Sequence, residues 1–431
     1  MSAIRYRLQI PQSLWARAWA ELSLGRRTLA WGRAFRSSYG QAVDLLVSGM
    51  RYVTQLPYAR DYSLIHDFFI FDAPHAHAPE ELPQLFQSLQ LRDGQLLVYV
   101  QPGLDGDQGS WLGAVLHNGQ LQPLQAIHLI GPGMLQFRRP PAPVRPSGSQ
   151  WTRLTGVLGE DVFQRFRSRE ILLAGCGRLG SLLAAALIRM GLRKLTVVDP
   201  DQLEPHNRDA TVGNTRGDCG QPKATVLLRH LHRIRPSARL HGFTLPLQHP
   251  RVVDAIRRCD AVFLCVDNDD ARFHLTQLAT QLLKVTLDCG TLIRRSEPDE
   301  RAPTSNDAPA QPADGPSPPI VLTADIRLIL PGGCLSCIGG LQPGPGPNPS
   351  PRAATPSSGP LWQNSGRLGS LPSINHIAVG TAMQLWLDLL CERLQSSWWQ
   401  RLRWDPGTGL QSRGTAVQGH PQCPICNGQG G

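Results

Sequence analysis

Between the apolar run Ile171–Ala174 and a long helical run, the chain reads Gly175-Cys176-Gly177-Arg178-Leu179-Gly180. Glycines at this spacing let the backbone turn tightly out of a strand. They also let a phosphate approach the first N–H groups of the next helix, where unpaired donors and the helix dipole favour an anion. The motif alone is a weak signal, and its setting strengthens it. About 20 residues on, the run LTVVD ends in Asp199, where a carboxylate can accept hydrogen bonds from ribose hydroxyls. Strand-like and helical runs then alternate through KATVLLRHLHRI, AVFLCV, ARFHLTQLATQLL and VTLDCG, the rhythm of a parallel sheet with crossover helices.

The fold class expected is α/β, with a Rossmann-like, mixed but mostly parallel sheet carrying helices on both faces, preceded by a smaller α+β domain. A length of 431 residues exceeds one ordinary core. The expected division is an α+β domain over 1–138, a Pro/Ser-rich linker over 139–150 and a nucleotide-binding domain over 151–431. Segments 296–319 and 341–371, rich in Pro, Gly and Ser, are expected to be mobile crossover loops. The first domain is read as two tryptophan-bearing helical stretches followed by short strands such as Asp67–Phe71 and Leu96–Val100. Asn118-Gly119 between two apolar runs marks a hairpin, because both residues tolerate positive φ.

Composition narrows the function classes. Neither a secretory signal nor an apolar run long enough for a membrane span is found. Ten cysteines without an export signal suit metal ligands or core thiols better than disulfides, so a cytoplasmic protein is expected. Lys and Arg number 43 against 33 acidic residues, but the arginines are scattered and no dense basic block stands out, so nucleic acid is not the expected partner.

The residues behind the glycine loop separate phosphate chemistry from hydride transfer. VVDPDQLEPHN supplies Asp199, Asp201 and Asn207, GQPKA supplies Lys223, and CVDNDDAR supplies Asp267. An acid at the last strand end suits Mg²⁺, while Lys223 and Asn207 can neutralise phosphate oxygens during attack at phosphorus. A Rossmann oxidoreductase using NAD(P), the nearest enzyme alternative, needs none of these. Cys334-x-x-Cys337 and Cys423-x-x-Cys426 form the four-thiolate set of a closed, structural Zn²⁺ site that ties the chain end to the core. His206 is read as a surface residue, Trp398 and Trp399 as packing against the sheet, and Gly430-Gly431 as a flexible end.

Taken together, GCGRLGS, VVDPDQLEPHN, GQPKA, CVDNDDAR, both CxxC pairs and the late helix INHIAVGTAMQLWLDLLCERL resemble the ubiquitin-activating-enzyme superfamily in its bacterial ThiF/MoeB/HesA form, in family order from Trp151 to Cys426. The resemblance implies ATP-dependent adenylation of the C-terminal glycine carboxylate of a small ubiquitin-like or sulfur-carrier protein, with ATP, Mg²⁺ and structural Zn²⁺. It assigns Gly175, Gly177, Gly180, Asp199, Asp201, Lys223 and Asp267 to the nucleotide. The catalytic set it implies is Asp267, Lys223, Asn207, Arg208 and Arg153, the last lent across a homodimer. A conjugating enzyme is a further implied partner.

Two departures stand against the family pattern. Ala210 occupies the place of an arginine, which puts the role of Arg208 in question. No cysteine falls between Ile338 and Ser373 where thioester-forming members carry one, which leaves Cys219 as the least buried candidate and Cys289 and Cys391 as core thiols. The other reading these departures feed is a scaffold that binds a ubiquitin-like protein without turnover. The N-terminal segment has a fainter similarity to JAB/MPN metalloprotease domains, with Tyr99-Val100-Gln101-Pro102 in place of the His-x-His-Pro zinc motif, which implies a degenerate domain kept for binding or architecture.

Overall fold

The computed structural model describes residues 5–24, 26–36, 42–53, 67–72, 81–82, 84, 96–102, 111–138, 146–295, 320–338, 341 and 369–426. Most of the expected linker, nearly all of both crossover segments and Gly430-Gly431 lie outside the described residues.

The N-terminal half is built from β1 (Arg5–Pro11), α1 (Gln12–Ser23), β2 (Arg27–Arg36), β3 (Ala42–Val53), β4 (Asp67–Phe71), β5 (Leu97–Pro102), β6 (Trp111–His117), β7 (Gln120–Ile130) and β8 (Gln136–Arg138). The strand order is β1-β3-β2-β4-β5-β6-β7-β8, and β1 also pairs with β7, so the sheet closes on itself. Leu8, Ile10, Phe69, Phe71 and Trp111 fill its core together with Trp15 of α1. Only one of the two expected helical stretches is a helix. The other, around Trp31, is β2, paired on both sides with β3 and β4. Gly32 marks the register shift there, and a Cβ at that position would lie 1.8 Å from the Leu46 carbonyl oxygen. A glycine at a bulge is a strand feature, and it outweighs the helical look of the neighbouring side chains.

The Asn118-Gly119 hairpin forms as expected: His117 pairs with Gln120, with φ of 51° and 72° at the two turn residues, the geometry that matches strand twist. The tetrapeptide compared with the metalloprotease motif lies on β5. There the buried Tyr99 hydroxyl donates to Gln101 Oε1 at 2.9 Å.

The second half runs through α2 (Thr152–Leu158), α3 (Glu160–Ser168), β9 (Glu170–Ala174), α4 (Arg178–Arg189), β10 (Lys194–Val198), α5 (Lys223–Ile234), β11 (Arg239–Phe243), α6 (Pro250–Arg258), β12 (Ala261–Leu264), α7 (Asp269–Gln281), β13 (Val285–Arg295), β14 (Ile320–Ile329), α8 (Pro372–Leu390), β15 (Ser397–Asp405) and β16 (Gly409–Val417). The sheet order is β11-β10-β9-β12-β13-β14-β15-β16. Pairings from β11 to β13 are parallel, and those from β13 to β16 are antiparallel. It is therefore the mixed Rossmann-like sheet expected, with a longer antiparallel extension. Trp398 and Trp399 belong to that extension as part of β15, where Trp398 packs against the core and Trp399 lies between the Arg327 and Arg401 guanidiniums.

Side chains alternate across the parallel strands. Ile171 and Leu173 of β9 face one layer with Leu183 of α4, Leu227 of α5 and Trp386 of α8, while Leu172 and Ala174 face the other with Val252 of α6 and Leu275 of α7. Helices thus cover both faces, and the strand ends remain open for loops. The two halves meet along a seam where Leu46, Ile130 and Met134 join the apolar clusters of the second half, and where buried Lys284 donates to Gln9 Oε1 at 3.2 Å and to the Arg257 carbonyl at 2.9 Å. No helix of the described residues is long and apolar enough to cross a membrane.

Candidate nucleotide site and thiol cluster

The carboxyl ends of β9, β10, β12 and the middle of β13 surround a cavity of about 570 Å³. Gly175 leaves β9 with φ of +91° and donates its N–H to the Val198 carbonyl at 2.9 Å. A Cβ on Gly180 would stand 1.8 Å from the Gly175 carbonyl oxygen, so glycine there lets α4 start hard against the loop. A Cβ on Gly177 would meet nothing within 4 Å. The first turn of α4 is open at that point to a ligand in the cavity, the arrangement that suits a phosphate.

Asp199 sits at the end of β10, 5% exposed. Its Oδ2 accepts the Cys176 N–H at 2.6 Å and its Oδ1 the Asp201 N–H at 2.9 Å, so the carboxylate is held by the backbone of both flanking loops. Burial raises its pKa, more than these bonds lower it. Lys223 opens α5 and donates from Nζ to Asp201 Oδ2 at 2.8 Å. Burial pulls its ammonium down, but the Asp201 hydrogen bond and the fields of Asp199, Asp201 and Asp267 outweigh it, and its pKa is raised. Asp267 and Asn207 line the same cavity, and Asn207 Oδ1 accepts the Glu204 N–H at 3.1 Å, which fixes the turn it stands on.

The fold therefore gathers Gly175, Gly177, Asp199, Asp201, Asn207, Lys223 and Asp267 around one space. Arg153 and Arg208 are exposed and are not among the lining residues, nor is Cys219. Ala210 is buried at 8% exposure. Cys289 is buried within β13 and Cys391 follows α8.

Two arginines of the lining had no role in the sequence reading. Arg178 donates to the Ser370 carbonyl at 3.2 Å and the His206 carbonyl at 3.4 Å, bridging loops on either side of the cavity. Arg272 stands in the same CVDNDDAR run as Asp267. Its Nε donates at 3.1 Å to Asp288, a fully buried carboxylate that also accepts from Arg327 at 2.6 Å. That partnership raises the pKa of Arg272 despite burial. Asp288 lies on β13, so only the fold shows that Arg272 is held in place.

The four expected thiols converge. Cys334 Sγ lies 3.7 Å from Cys337 Sγ and 3.6 Å from Cys423 Sγ, Cys337 Sγ lies 3.3 Å from Cys426 Sγ, and all four lie within 4.8 Å of one another. Metal–sulfur bonds of about 2.3 Å in a tetrahedron place sulfurs about 3.8 Å apart, so the set fits one ion. The backbone N–H of His420 points at Cys337 Sγ at 3.2 Å, a donor suited to a thiolate. No other cluster of three or more His, Cys, Asp or Glu ligands is found among the described residues.

The sequence profile of the ThiF family matches residues 151–386. Among curated proteins, the chain is 26% identical over 134 residues to tRNA threonylcarbamoyladenosine dehydratase 1 of Saccharomyces cerevisiae, covering 30% of this chain and 31% of that one. It is 27% identical over 127 residues to the sulfur carrier protein adenylyltransferase of Thermus thermophilus, covering 30% and 47%. It is 33% identical over 121 residues to an ATP-dependent ubiquitin transferase-like protein of Enterobacter hormaechei, covering 27% and 19%. The chain thus matches less than half the length of each of these relatives.

Proposed function

We propose, because this chain belongs to the ThiF family, that it adenylates the C-terminal glycine carboxylate of a small ubiquitin-like or sulfur-carrier protein at the expense of ATP. The observation that carries this reading is the single cavity where the open start of α4 at Gly177, the clamped Asp199, the Lys223–Asp201 pair and Asp267 converge. Hydride transfer in an oxidoreductase would have no use for Lys223 and Asp267 together beside the glycine loop.

In this reading Asp199 accepts the ribose hydroxyls, and the N–H groups of the Gly175–Gly180 loop face phosphate oxygens. The carrier's terminal carboxylate oxygen forms a bond to the α-phosphorus as the α–β phosphoanhydride bond breaks and pyrophosphate leaves. No proton moves, because the attacking carboxylate is already ionised. Lys223, held charged by three carboxylates, neutralises oxygens of the triphosphate, and Arg272 and Arg178 add fixed positive charge at the rim. Asp267 would hold Mg²⁺, which would supply further neutralisation of the leaving phosphates. Positioning and charge are the main contributions of such a site.

Arg153 stands on α2, none of whose residues is buried in this chain, which supports its proposed use across a homodimer. Zn²⁺ held by the four thiols would have all its positions filled by protein and would serve structure. The N-terminal sheet, whose Tyr99 and Gln101 bond each other, is assigned to architecture or carrier binding.

The test is ATP–pyrophosphate exchange with small carrier proteins ending in glycine. Carrier-dependent exchange is expected, falling by about 100-fold or more in Asp267→Ala, the scale of losing one transition-state electrostatic contact. Zinc-loaded protein that binds ATP yet shows no exchange with any carrier would overturn the reading in favour of a non-catalytic scaffold.

A further inference from the structure

Arginines that are scattered along the chain gather at the end of the α/β sheet opposite the cavity. The stretches 171–198 and 219–253 contain no Asp or Glu, and the fold lays their cations side by side. Arg193 and Lys194 lead into β10, Arg239 opens β11 in register with Lys194, and Arg189, Arg233 and Arg235 stand at the carboxyl ends of α4 and α5. Backbone bonds knit the group together: the Arg193 N–H donates to the Arg167 carbonyl at 3.3 Å and the Arg239 N–H to the Arg193 carbonyl at 2.7 Å.

Trp151 lies among these side chains, with the Arg167 guanidinium 5.3 Å and the Arg235 guanidinium 4.9 Å from its ring centre. Burial, and then the charge of Arg193, lowers the pKa of both. Arg167 is 7% exposed, and the Nε of Arg167 and of Arg235 is buried without a hydrogen-bond partner. Among the described residues, no carboxylate comes within 4.0 Å of Arg167, Arg193, Arg235 or Arg239. Glu160 acts on Arg167 from farther off, and its own oxygen is taken up by Ser147 and Gln164. Crowding unpaired like charges on a half-dry aromatic platform costs stability that an external anion would restore.

We propose that this face binds the phosphodiester backbone of a nucleic acid, without base readout, through Arg193, Arg235 and Arg239, while the largely buried Arg167, which donates to Ser147 Oγ at 3.4 Å, adds its field from beside Trp151. Planar guanidinium forks match phosphate oxygens in pairs, where lysines would offer only point charges. A protein partner would need apolar anchors; stretches 171–198 and 219–253 offer no exposed large apolar side chain, and exposed Val157 belongs to α2, the helix assigned above to the homodimer. The face lies one strand length from the nucleotide cavity, about 17 Å for five residues, so both sites can be filled together. The inference is independent of the adenylation chemistry.

The experiment is fluorescence-polarisation titration of the full chain with labelled single-stranded and duplex RNA of about 20 nucleotides across a salt series. The exposed pair Arg193→Glu/Arg239→Glu is compared with Arg413→Glu on the far edge strand β16, all at matched unfolding temperature. Binding is expected in the wild type. It should weaken about tenfold or more in the double variant, with the slope of log affinity against log salt shallower by about two, and stay within about twofold of wild type in Arg413→Glu. No binding at low salt, or an equal loss in Arg413→Glu, would overturn the proposal. Displacement of RNA by polyglutamate at lower concentration than by unlabelled RNA would also overturn it, reassigning the face to an acidic protein.

Discussion

A buried carboxylate between two arginines is the most demanding residue-scale feature of the site. Asp288 is 0% exposed, and Arg272 and Arg327, both largely buried, converge on its two oxygens at 3.1 and 2.6 Å. Removing the shared partner leaves two largely buried guanidiniums with only their longer contacts to Asp269 at 3.5 Å and Asp325 at 3.6 Å, a loss of up to about 3–5 kcal/mol. Asp288→Ala is therefore expected to lower the urea midpoint steeply and to loosen Arg272 at the cavity rim; a midpoint within error of wild type would show that water already screens the pair. At this scale the sequence was informative where chemistry is local. Asp199, Lys223 and Asp267 were legible because each follows a strand or opens a helix at a fixed offset from the glycine loop. Arg272 was in view but had no visible role, because its partner lies on a different strand and meets it only through the sheet.

At the scale of elements, strands and helices with a clear period were recoverable, and the hairpin at Asn118-Gly119 was recoverable from two residues. The stretch around Trp31 was not, since its side chains suit either structure and pairing with β3 and β4 decided the outcome. Neither was the β15–β16 extension, where Trp398 and Trp399 read equally well as packing residues. That extension brings Cys423 and Cys426, just beyond β16, against the turn after β14 that carries Cys334 and Cys337. One equivalent of zinc per chain is expected by elemental analysis, with loss of metal in Cys423→Ser. Chelation is expected to lower the unfolding temperature by several degrees, as about 1 kcal/mol shifts a large domain by about 2–4 °C. Metal-free protein that melts like the untreated sample would remove the cluster's structural role.

Across the whole molecule, the closed N-terminal sheet and the α/β half share a seam with its own pH response. His128 of β7 is 7% exposed, and burial, opposed by nearby Asp260 but aided by Arg7, Arg169 and Arg138, lowers its pKa from 6.5 to about 3. The folded value is depressed, so the unfolded chain takes up a proton the folded one refuses. The His128 contribution is complete above pH 6.5 and is lost as pH falls toward 3, with a slope of about 1.4 kcal/mol per pH unit. Unfolding free energies from pH 7 to 4 are expected to lose that slope in His128→Asn; identical slopes would place the titration elsewhere. By itself the sequence determined the α/β class, the glycine loop with acids and a lysine around one cavity, and the convergence of the four thiols, because spacing along one strand–loop–helix unit dictates what those residues can reach. Only the tertiary structure decided the closure of the first sheet, the anchoring of Arg272 by Asp288 and the gathering of separate arginines around Trp151. Each of those depends on strands and helices far apart in the chain, brought together by burying the apolar faces between them.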